Sequence, residues 1–281
     1  MVTKVNEFVF SVNLLSRRSI IEDMKLGLSS RLRQITTGVA HRGLHDLSRP
    51  ENSLAAFAQA IEHKIPFECD IHATKDDHLV VCHDSDLLRM TGKNGIIEEL
   101  TFGQIREEYR LPDGSPIPEL CEVFALNNGQ VPMVLELKSH GGNEKQVASL
   151  AIPQINVLPN AADCLIISFF PEVLRAAKAV GTSLPLGFLI GTEAMKKQYL
   201  PIYEEFDFLD VEVHYSLFPR FRRYRKKGGA IVTWTVKSGL TAAIAKRRSD
   251  CPTWEIVDSA KEKHKINRAV LKKFAPFMEG I

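Results

Sequence analysis

The chain has 281 residues, of which 44% are hydrophobic and 25% are charged, and its formal net charge at pH 7 is +2. This length and composition allow one large domain with a full hydrophobic core, and they exclude a chain that is disordered by composition. No apolar run reaches the roughly 18 residues that cross a membrane.

Residues 1–33 are expected to form an N-terminal extension that packs on the domain, partly helical through Ile20–Ile35. The apolar run Phe8–Leu15 contains polar residues and has no small-residue cleavage site behind it, so a secretory signal is not expected. The five cysteines are odd in number and form no CxxC pair, which is typical of reduced core thiols. They favour a reducing compartment, and we expect a cytoplasmic protein.

Strand-like and helix-like segments alternate through residues 34–281, which we treat as one domain. The predicted strands are Gln34–Ala40, Pro66–Ile71, Met133–Lys138, Asp163–Ser168, Leu184–Ile190, Phe206–Val213, Ala230–Val236 and Trp254–Asp258. The predicted helices are Leu54–His63, Glu119–Leu126, Glu144–Leu150, Pro171–Val180, Thr192–Leu200, Leu217–Lys227 and Leu240–Arg248. About eight such repeats in a domain of this size predict an α/β fold, the (β/α)₈ TIM barrel.

One further run, Leu79–Cys82, follows the strand Pro66–Ile71 too closely for a parallel crossover, which takes about a dozen residues. We expect it to turn back beside that strand. Leaving it out keeps the strand count at eight, which favours a closed barrel over an open sheet.

Charged residues fall on one face of two predicted strands. Alternate side chains of a strand point to opposite faces, so Glu68 and Asp70 share a face, as do Glu136 and Lys138. In a barrel the apolar residues between them pack against the helices. The charged residues then point into the mouth at the C-terminal strand ends.

Three carboxylates, Glu68, Asp70 and Glu136, are therefore expected to converge on one divalent cation. Oxygen ligands suit Mg²⁺ or Ca²⁺ better than Zn²⁺. The alternative is that each acid forms a salt bridge at a strand end. We favour the cation because these strands do not carry an equal number of basic residues.

Two histidines follow apolar strand-like runs, His41 before Arg42 and His83 before Asp84. Histidine transfers protons near neutral pH, so both are candidate acid/base groups. Arg42 and Lys138 are candidate phosphate contacts, with neutralisation of the acidic cluster as the alternative. We assign six other histidines to the surface or to loops: His45, His63, His72, His78, His140 and His264.

These residues stand in motifs that resemble one enzyme family. The chain resembles the glycerophosphodiester phosphodiesterase family in the order and spacing of five motifs: His41-Arg42-Gly43, Pro50-Glu51-Asn52-Ser53, Glu68-x-Asp70, His83-Asp84 and Glu136-Leu137-Lys138. Weaker similarities extend the resemblance across about residues 38–260.

The resemblance implies a (β/α)₈ barrel that uses one divalent cation, Mg²⁺ or Ca²⁺. It also implies hydrolysis of glycerophosphodiesters to sn-glycerol 3-phosphate and an alcohol. Carried over by position, the metal ligands are Glu68, Asp70 and Glu136, the acid/base pair is His41 and His83, the phosphate contacts are Arg42 and Lys138, and Glu51 is an active-site acid.

Two positions depart from the usual pattern of the family. Lys237 stands where Asn is usual after Trp-Thr-Val, and the last strand has Glu255-Ile256-Val257-Asp258-Ser259 where Gly-Ile-Ile-Thr-Asp is usual. Both belong to the predicted mouth, so they affect what the resemblance implies for the alcohol or glycerol pocket and not for the phosphate chemistry. Phe169 and Trp234 are further candidates for the substrate pocket.

Positive charge is concentrated late in the chain. Residues 196–281 carry 18 basic and 10 acidic side chains, against 18 and 24 in residues 1–195. Six cations end one predicted helix: Arg220, Arg222, Arg223, Arg225, Lys226 and Lys227. They either complement the helix dipole in solvent or contact an anionic membrane or a lipid-like substrate. Nucleic acid is not an expected partner, because no nucleic-acid-binding module accompanies the charge.

Three functions stay open on this sequence. The leading one is hydrolysis of small glycerophosphodiesters. The second is the same chemistry on a lysophospholipid, favoured if the basic cluster and an apolar entrance of Phe169, Phe170 and Trp234 bind the lipid. The third is a barrel that binds phosphate ligands without turnover, against which the two histidines argue. The order of acid and base, the attacking group (water or the glycerol C2 hydroxyl) and the oligomeric state are not fixed.

Overall fold

The computed structural model describes Leu28, Leu32 and residues 38–255 of the chain. Its strands are β1 (Val39–Ala40), β2 (Phe67–Ala73), β3 (Leu79–Val81), β4 (Met133–Leu137), β5 (Leu165–Ser168), β6 (Leu186–Ile190), β7 (Phe208–Glu212), β8 (Ala230–Val236) and β9 (Cys251–Trp254). All but β3 run parallel, in the order β1-β2-β4-β5-β6-β7-β8-β9. β1 pairs with both β2 and β9, which closes the predicted eight-stranded barrel.

Helices surround this barrel. They are α1 (Leu54–Glu62), α2 (Leu88–Thr91), α3 (Phe102–Glu108), α4 (Leu120–Asn127), α5 (Glu144–Asn156), α6 (Pro171–Val180), α7 (Pro219–Lys226) and α8 (Gly239–Arg248). Short 3₁₀ helices lie at Ile97–Glu99, Ala161–Asp163, Glu193–Met195, Lys197–Glu204 and Tyr215–Leu217. None of the helices within the described part of the chain is long and apolar enough to span a membrane.

Two predicted elements differ from the structure. The helix expected at Thr192–Leu200 is a pair of 3₁₀ helices, in a segment where Pro201 has no N–H to donate. The last strand begins at Cys251, three residues before the predicted start. The prediction missed these residues because proline is unusual within a strand, yet Pro252 pairs with Thr233 in the sheet. Residues 256–258 of that prediction lie outside the described residues, as does most of the predicted strand and helix before residue 38.

β3 runs antiparallel to the end of β2, pairing Val81 with Ile71, as the short gap predicts. The segment after β3 builds a small lobe with its own hydrophobic cluster, in which Leu87, Ile97 and Ile105 are fully buried. The sequence analysis did not predict α2 and α3, which are too short to show a clear helical period. This lobe carries His83.

The barrel interior has an apolar lower end. Inward-pointing strand residues pack with Leu32, which precedes β1, in a cluster here called the lower-end cluster: Leu32, Val39, Val134, Leu165, Ile167, Leu189, Phe208, Ala230, Val232 and Cys251. Leu28 and Trp234 pack against it. Outward-facing residues such as Cys69 and Leu135 join the larger core between sheet and helices. On β4 and β7 the next inward positions, toward the C-terminal strand ends, are the acids Glu136 and Asp210.

Candidate active site

Three carboxylates meet at the C-terminal ends of β2 and β4. Parallel pairing places Asp70 beside Glu136, and strand alternation places Glu68 on the same inward face. One oxygen from each of the three lies within 4.8 Å of the others. All three side chains are buried. The structure thus brings together the three predicted metal ligands.

Two cations lie among these acids. Lys138 Nζ is 2.9 Å from Asp70 Oδ1 and 2.7 Å from Glu136 Oε1. Arg42 Nε is 3.4 Å from Asp70 Oδ2, and the backbone N–H of Arg42 donates to Glu68 Oε2 at 2.9 Å. The predicted phosphate contacts are therefore held by the same carboxylates that are candidate metal ligands.

The loop after β1 has a backbone shaped for this arrangement. Arg42 and Asn52 both have left-handed φ angles, 55° and 56°, a conformation that non-glycine residues adopt at a cost. Asn52 Nδ2 donates to Asp70 Oδ2 at 2.7 Å, and this bond fixes the loop to β2. Gly43 has a φ of 83°, and a Cβ there would lie 2.8 Å from the backbone carbon of Ala56. The glycine and asparagine of the motifs are thus needed for the loop conformation.

Three carboxylates share this buried site with two cations, Lys138 and Arg42, and the pKa values of the acids are shifted. Burial raises the pKa of Asp70, but Lys138 and His83 oppose it and hold that pKa well below its usual range. Burial, reinforced by Asp70 and Glu136, raises the pKa of Glu68 well above its usual range. Burial also raises the pKa of Glu136 to about 7, against the opposing charge of Lys138. Such crowding of carboxylates is the condition under which a bound divalent cation is favourable.

An unpaired oxygen points to the same cation. Glu68 Oε1 is buried and has no hydrogen-bond partner among the residues that the structure describes. A buried carboxylate oxygen without a partner costs free energy. A hard divalent cation with oxygen ligands from Glu68, Asp70 and Glu136 would satisfy it, so the residues present fit the predicted metal.

His83 belongs to a chain of ion pairs beside the carboxylates. His83 Nδ1 is 2.6 Å from Asp84 Oδ1, and Asp84 is bound in turn by Arg89. Arg89 Nη2 donates to Glu51 Oε1 at 2.7 Å, and the same oxygen accepts from Arg42 Nη1 at 2.7 Å. Glu51 therefore joins the loop after β1 to the lobe that carries His83.

His83 is a third exposed, and burial lowers its pKa although Asp70 and the hydrogen bond to Asp84 oppose this. The neutral form of its imidazole is thus favoured near neutral pH. A neutral imidazole can accept a proton, which is the property expected of an acid/base group.

His41 has a carboxylate partner from the far end of the sequence. His41 Nδ1 is 2.9 Å from Glu255 Oε2, and Lys237 Nζ is 2.8 Å from the same oxygen. Burial raises the pKa of Glu255, but the hydrogen bonds with His41 and Lys237 lower it to about 2. Lys237 and Glu255, the two departures from the family pattern at the predicted mouth, therefore lie in one chain of contacts with His41.

The assignment of His72 to the surface or a loop is wrong. His72 lies on β2, which continues two residues beyond its predicted end, and is 3% exposed. Its Nδ1 is 2.6 Å from Glu98 Oε1, and its Nε2 is 3.3 Å from the carbonyl oxygen of His83. Ser85 also donates to Glu98. These contacts hold the segment that carries His83, and they were missed because Glu98 belongs to the unpredicted lobe.

Phe169 and Trp234 border the carboxylates at the mouth. Their rings meet edge to face with centroids 5.4 Å apart, and Lys138 Nζ lies 5.9 Å from the Phe169 centroid. Gly191 leaves room for them, since a Cβ there would lie 3.1 Å from the Phe169 ring. Both predicted pocket residues are therefore next to the charged cluster.

Asp210 is a buried acid that sequence reasoning missed. It points inward from β7, is 1% exposed, and its Oδ1 has no hydrogen-bond partner within the described residues. Burial, reinforced by the charge of Glu136, raises its pKa well above the usual range. The available signal was an acid inside an otherwise apolar strand, Phe208–Glu212.

Known proteins are similar to this chain in sequence. Residues 41–262 match the glycerophosphoryl diester phosphodiesterase family. A glycerophosphodiester phosphodiesterase of Caldanaerobacter subterraneus subsp. tengcongensis is 30% identical over 217 residues, which are 72% of this chain and 86% of that protein. The human glycerophosphodiester phosphodiesterase 1 is 33% identical over 149 residues, 49% of this chain and 44% of the human one.

Solved structures show the same fold. A phosphodiesterase of Oleispira antarctica, in complex with the product sn-glycerol-3-phosphate, superposes with a TM-score of 0.68 at 21% identity, covering 86% of this chain and 96% of that one. A glycerophosphodiester phosphodiesterase of Thermotoga maritima gives a TM-score of 0.63 at 25% identity, over 78% and 94% of the two chains.

Proposed function

The chain belongs to the glycerophosphoryl diester phosphodiesterase family and is an enzyme of this class, and we propose that it hydrolyses small glycerophosphodiesters with one divalent cation. The products are sn-glycerol 3-phosphate and an alcohol. One observation carries the proposal: three buried carboxylates, two cations and two carboxylate-bound histidines lie at one end of the barrel.

Glu68, Asp70 and Glu136 would hold the cation, Mg²⁺ or Ca²⁺. When bound, such an ion offsets the negative charge that develops on the phosphoryl oxygens. Arg42 offers a planar fork of N–H donors and Lys138 a point charge for the same oxygens. Contacts with Asp70 already hold both side chains, so substrate binding needs to order them only slightly.

His41 and His83 are the proposed proton carriers. Each has Nδ1 against a carboxylate whose pKa is lowered, so the carboxylate is ionised and accepts the Nδ1 hydrogen. Nε2 is then left for chemistry. One histidine accepts a proton from the attacking oxygen, and the other donates one to the leaving alkoxide. Attack by water and attack by the glycerol C2 hydroxyl, through a cyclic phosphate, both suit this arrangement.

Turnover of glycerophosphocholine with and without a chelator tests the proposal. We expect excess EDTA to abolish release of sn-glycerol 3-phosphate, and added Mg²⁺ or Ca²⁺ to restore it. Full activity in EDTA would exclude the cation. If the metal-loaded enzyme turned over neither glycerophosphocholine, glycerophosphoethanolamine nor lysophosphatidylcholine, the proposed reaction would be wrong.

A second substrate class is favoured by the surface of the mouth. Large apolar side chains that are 37–68% exposed follow β5, β7 and β8 at this end: Phe169, Phe170, Leu217, Phe218 and Leu240. An exposed apolar surface beside an active site is suited to an acyl chain. The same chemistry on a lysophospholipid is therefore the alternative substrate assignment.

Phe170→Ser together with Leu240→Ser separates the two substrates. If the mouth binds acyl chains, kcat/KM for lysophosphatidylcholine falls in this variant and kcat/KM for glycerophosphocholine does not. Equal values of kcat/KM for lysophosphatidylcholine in the variant and the wild type would exclude the acyl-chain contact.

The basic cluster forms part of a groove between α7 and α8. The cavity measures about 330 Å³, and five cations line it: Arg222, Arg225, Lys226, Arg247 and Arg248. Arg225 pairs with Asp250 at 2.9 Å, whereas the other four have no ion-pair partner among the described residues. We propose a peripheral contact of this groove with an anionic membrane, to which each basic side chain contributes about 1 kcal/mol.

Sedimentation with vesicles tests the membrane contact. We expect the enzyme to bind vesicles that contain phosphatidylserine, and the variant Arg222→Gln, Lys226→Gln, Arg247→Gln to stay in solution. Binding that does not depend on the anionic lipid content would exclude the groove as the cause.

The cysteines support a reducing location. Cys69, Cys82, Cys121 and Cys164 form no disulfide, and all of these except Cys121 are buried. Burial raises the pKa of Cys69 well above its usual range and that of Cys82 to about 12, so these thiols are unreactive. We therefore propose a cytoplasmic enzyme, which subcellular fractionation tests.

A further inference from the structure

The two candidate proton carriers obtain their carboxylate partners in different ways. His83 uses its neighbour Asp84, within the same motif. His41 uses Glu255, which is 214 residues away, and Glu255 is held in turn by Lys237. Neither Glu255 nor Lys237 belongs to the motifs that suggested the function.

We infer that Glu255 is a positioning residue that fixes the ring of His41, and that Lys237 holds Glu255 in place. The inference rests on the proposed function, in which His41 transfers a proton. The carboxylate of Glu255 and the imidazole of His41 then form a functional pair at the ends of two adjacent strands.

Barrel closure brings the three residues together. Lys237 follows β8, Glu255 follows β9 and His41 follows β1, and these strands are neighbours. The backbone N–H of His41 donates to the carbonyl oxygen of Trp254 at 2.8 Å, and that of Glu255 donates to Val236 at 3.1 Å. Each side chain thus starts from a backbone position that is fixed by its neighbouring strand.

The charge on Glu255 decides which nitrogen of His41 carries the hydrogen. The side chains of His41 and Glu255 are 14% and 18% exposed, so their contact is largely shielded from water. An ionised carboxylate only accepts, so His41 Nδ1 donates and Nε2 is the nitrogen left for proton transfer. Lys237, which is half exposed, contacts Glu255 from the solvent side and favours the ionised form of the Glu255 carboxylate.

A matched pair exists at the same end of the barrel. Glu212, the last residue of β7, accepts from His214 Nδ1 at 2.8 Å. This pair has the same chemistry as Glu255 and His41, yet His214 is exposed and takes no part in the cluster of carboxylates. Glu212→Gln is therefore the control for Glu255→Gln.

A double-mutant cycle on glycerophosphocholine tests the inference. In the metal-loaded enzyme we expect Glu255→Gln to lower kcat about 10- to 100-fold, the scale seen when a functional histidine loses its carboxylate partner. KM should stay close to the wild-type value. In the His41→Ala background the same change should leave kcat unaltered, because there is no imidazole left to position. Lys237→Met should have the same pattern with a smaller loss, and Glu212→Gln should have wild-type kcat.

Three results would overturn the inference. An equal loss of kcat from Glu255→Gln in the wild-type and His41→Ala backgrounds would show that Glu255 acts elsewhere. A change in KM alone, differing between choline and ethanolamine substrates, would assign Glu255 to the alcohol pocket. Wild-type kcat in Glu255→Gln would remove any role.

A spectroscopic readout separates this inference from the proposed function. Long-range ¹H–¹⁵N spectra of the imidazoles report which nitrogen is protonated, whether or not the enzyme turns over a substrate. We expect His41 in the wild type to be protonated at Nδ1 at neutral pH, and this preference to weaken in Glu255→Gln. An identical His41 signal in both proteins would contradict the positioning role, whereas lack of turnover in the wild type would contradict only the proposed reaction.

Discussion

The two ends of the barrel interior use the same strands for opposite purposes. On β4, Val134 points into the lower-end cluster, and Glu136, two residues later, points into the charged cluster at the mouth. On β7, Phe208 and Asp210 have the same relation. A shift of one strand period, about 7 Å, thus separates apolar packing from buried charge.

The fold stays stable although its active site buries carboxylates. Burying carboxylates is unfavourable unless each oxygen is paired, and Glu68 has an oxygen without a partner in the described part of the chain. The lower end and the surrounding core contribute the compensating free energy. Variants at the mouth should therefore change activity, and variants at the lower end should change stability.

The largest contrast is expected for His83→Ala. Loss of one proton carrier at the mouth should lower kcat about 10²- to 10⁴-fold, while the free energy of unfolding should change by less than about 1 kcal/mol. Turnover of glycerophosphocholine and urea denaturation measure the two effects. His63→Ala, at the end of α1, is the control and should have wild-type values. If His83→Ala unfolded the protein, the division between the two ends would fail.

Phe208→Ala should show the opposite pattern. The ring is fully buried and packs against Gly187, where a Cβ would lie 2.3 Å from it. Truncation should lower the free energy of unfolding by about 3–5 kcal/mol, with kcat per folded molecule unchanged. The exposed Phe218 is the control, since Phe218→Ala should cost less than about 0.5 kcal/mol. Loss of kcat in folded Phe208→Ala would connect the two ends directly.

The pH dependence of stability should reveal one charged group at the mouth that does stabilise. The pKa of Glu255 is about 2 in the folded chain, against an ordinary value of 4.5. Because the folded value is the lower one, the contribution is complete above about pH 4.5 and disappears as the pH falls toward 2. Its size is about 2–3 kcal/mol. The difference in unfolding free energy between wild type and Glu255→Gln should therefore shrink across this window, and a constant difference would contradict the assignment.

The smallest expected effect is a gain in the free energy of unfolding instead of a loss. Without metal, Glu68→Gln should raise the free energy of unfolding by about 1 kcal/mol, because it removes an acid whose pKa is raised by folding and whose burial is therefore unfavourable at neutral pH. Denaturation in EDTA measures this. With Mg²⁺ or Ca²⁺ present the order should reverse, since only the wild type gains the binding free energy. Glu108→Gln, in an exposed pair with Lys93, is the control and should change stability by less than about 0.5 kcal/mol.

Strand alternation is why much of the cluster was predictable from sequence. The period of two fixes that Glu68 and Asp70 face the same way, whatever the partner strand. The eight-strand count and the apolar run of β4 then suffice to bring Glu136 and Lys138 to the same end. Apart from the strand count, each of these inferences needs only residues within one strand.

The contacts that were missed join elements that are distant in sequence. Glu255 meets His41 only because β9 pairs with β1, so its spacing in sequence carries no signal. His72 finds Glu98 in a lobe whose helices of four and seven residues are too short to show a period. Arg89 joins two motif residues from the same lobe. Local patterns therefore identified the charged groups, and long-range pairing supplied the residues that hold them.

Leu32 is fully buried among the inward-facing side chains at the lower end of the barrel, and Leu28, one helical turn earlier, packs beside it. These leucines come from the extension, before the first strand, yet they help to fill the floor beneath the charged cluster. A filled floor keeps water from reaching the carboxylates from below. The effective dielectric constant around Asp70 and Glu136 then stays low, so each charge at the mouth acts more strongly on a phosphate. A segment that contains none of the motifs thus helps to set the strength of the electric field in which the enzyme works.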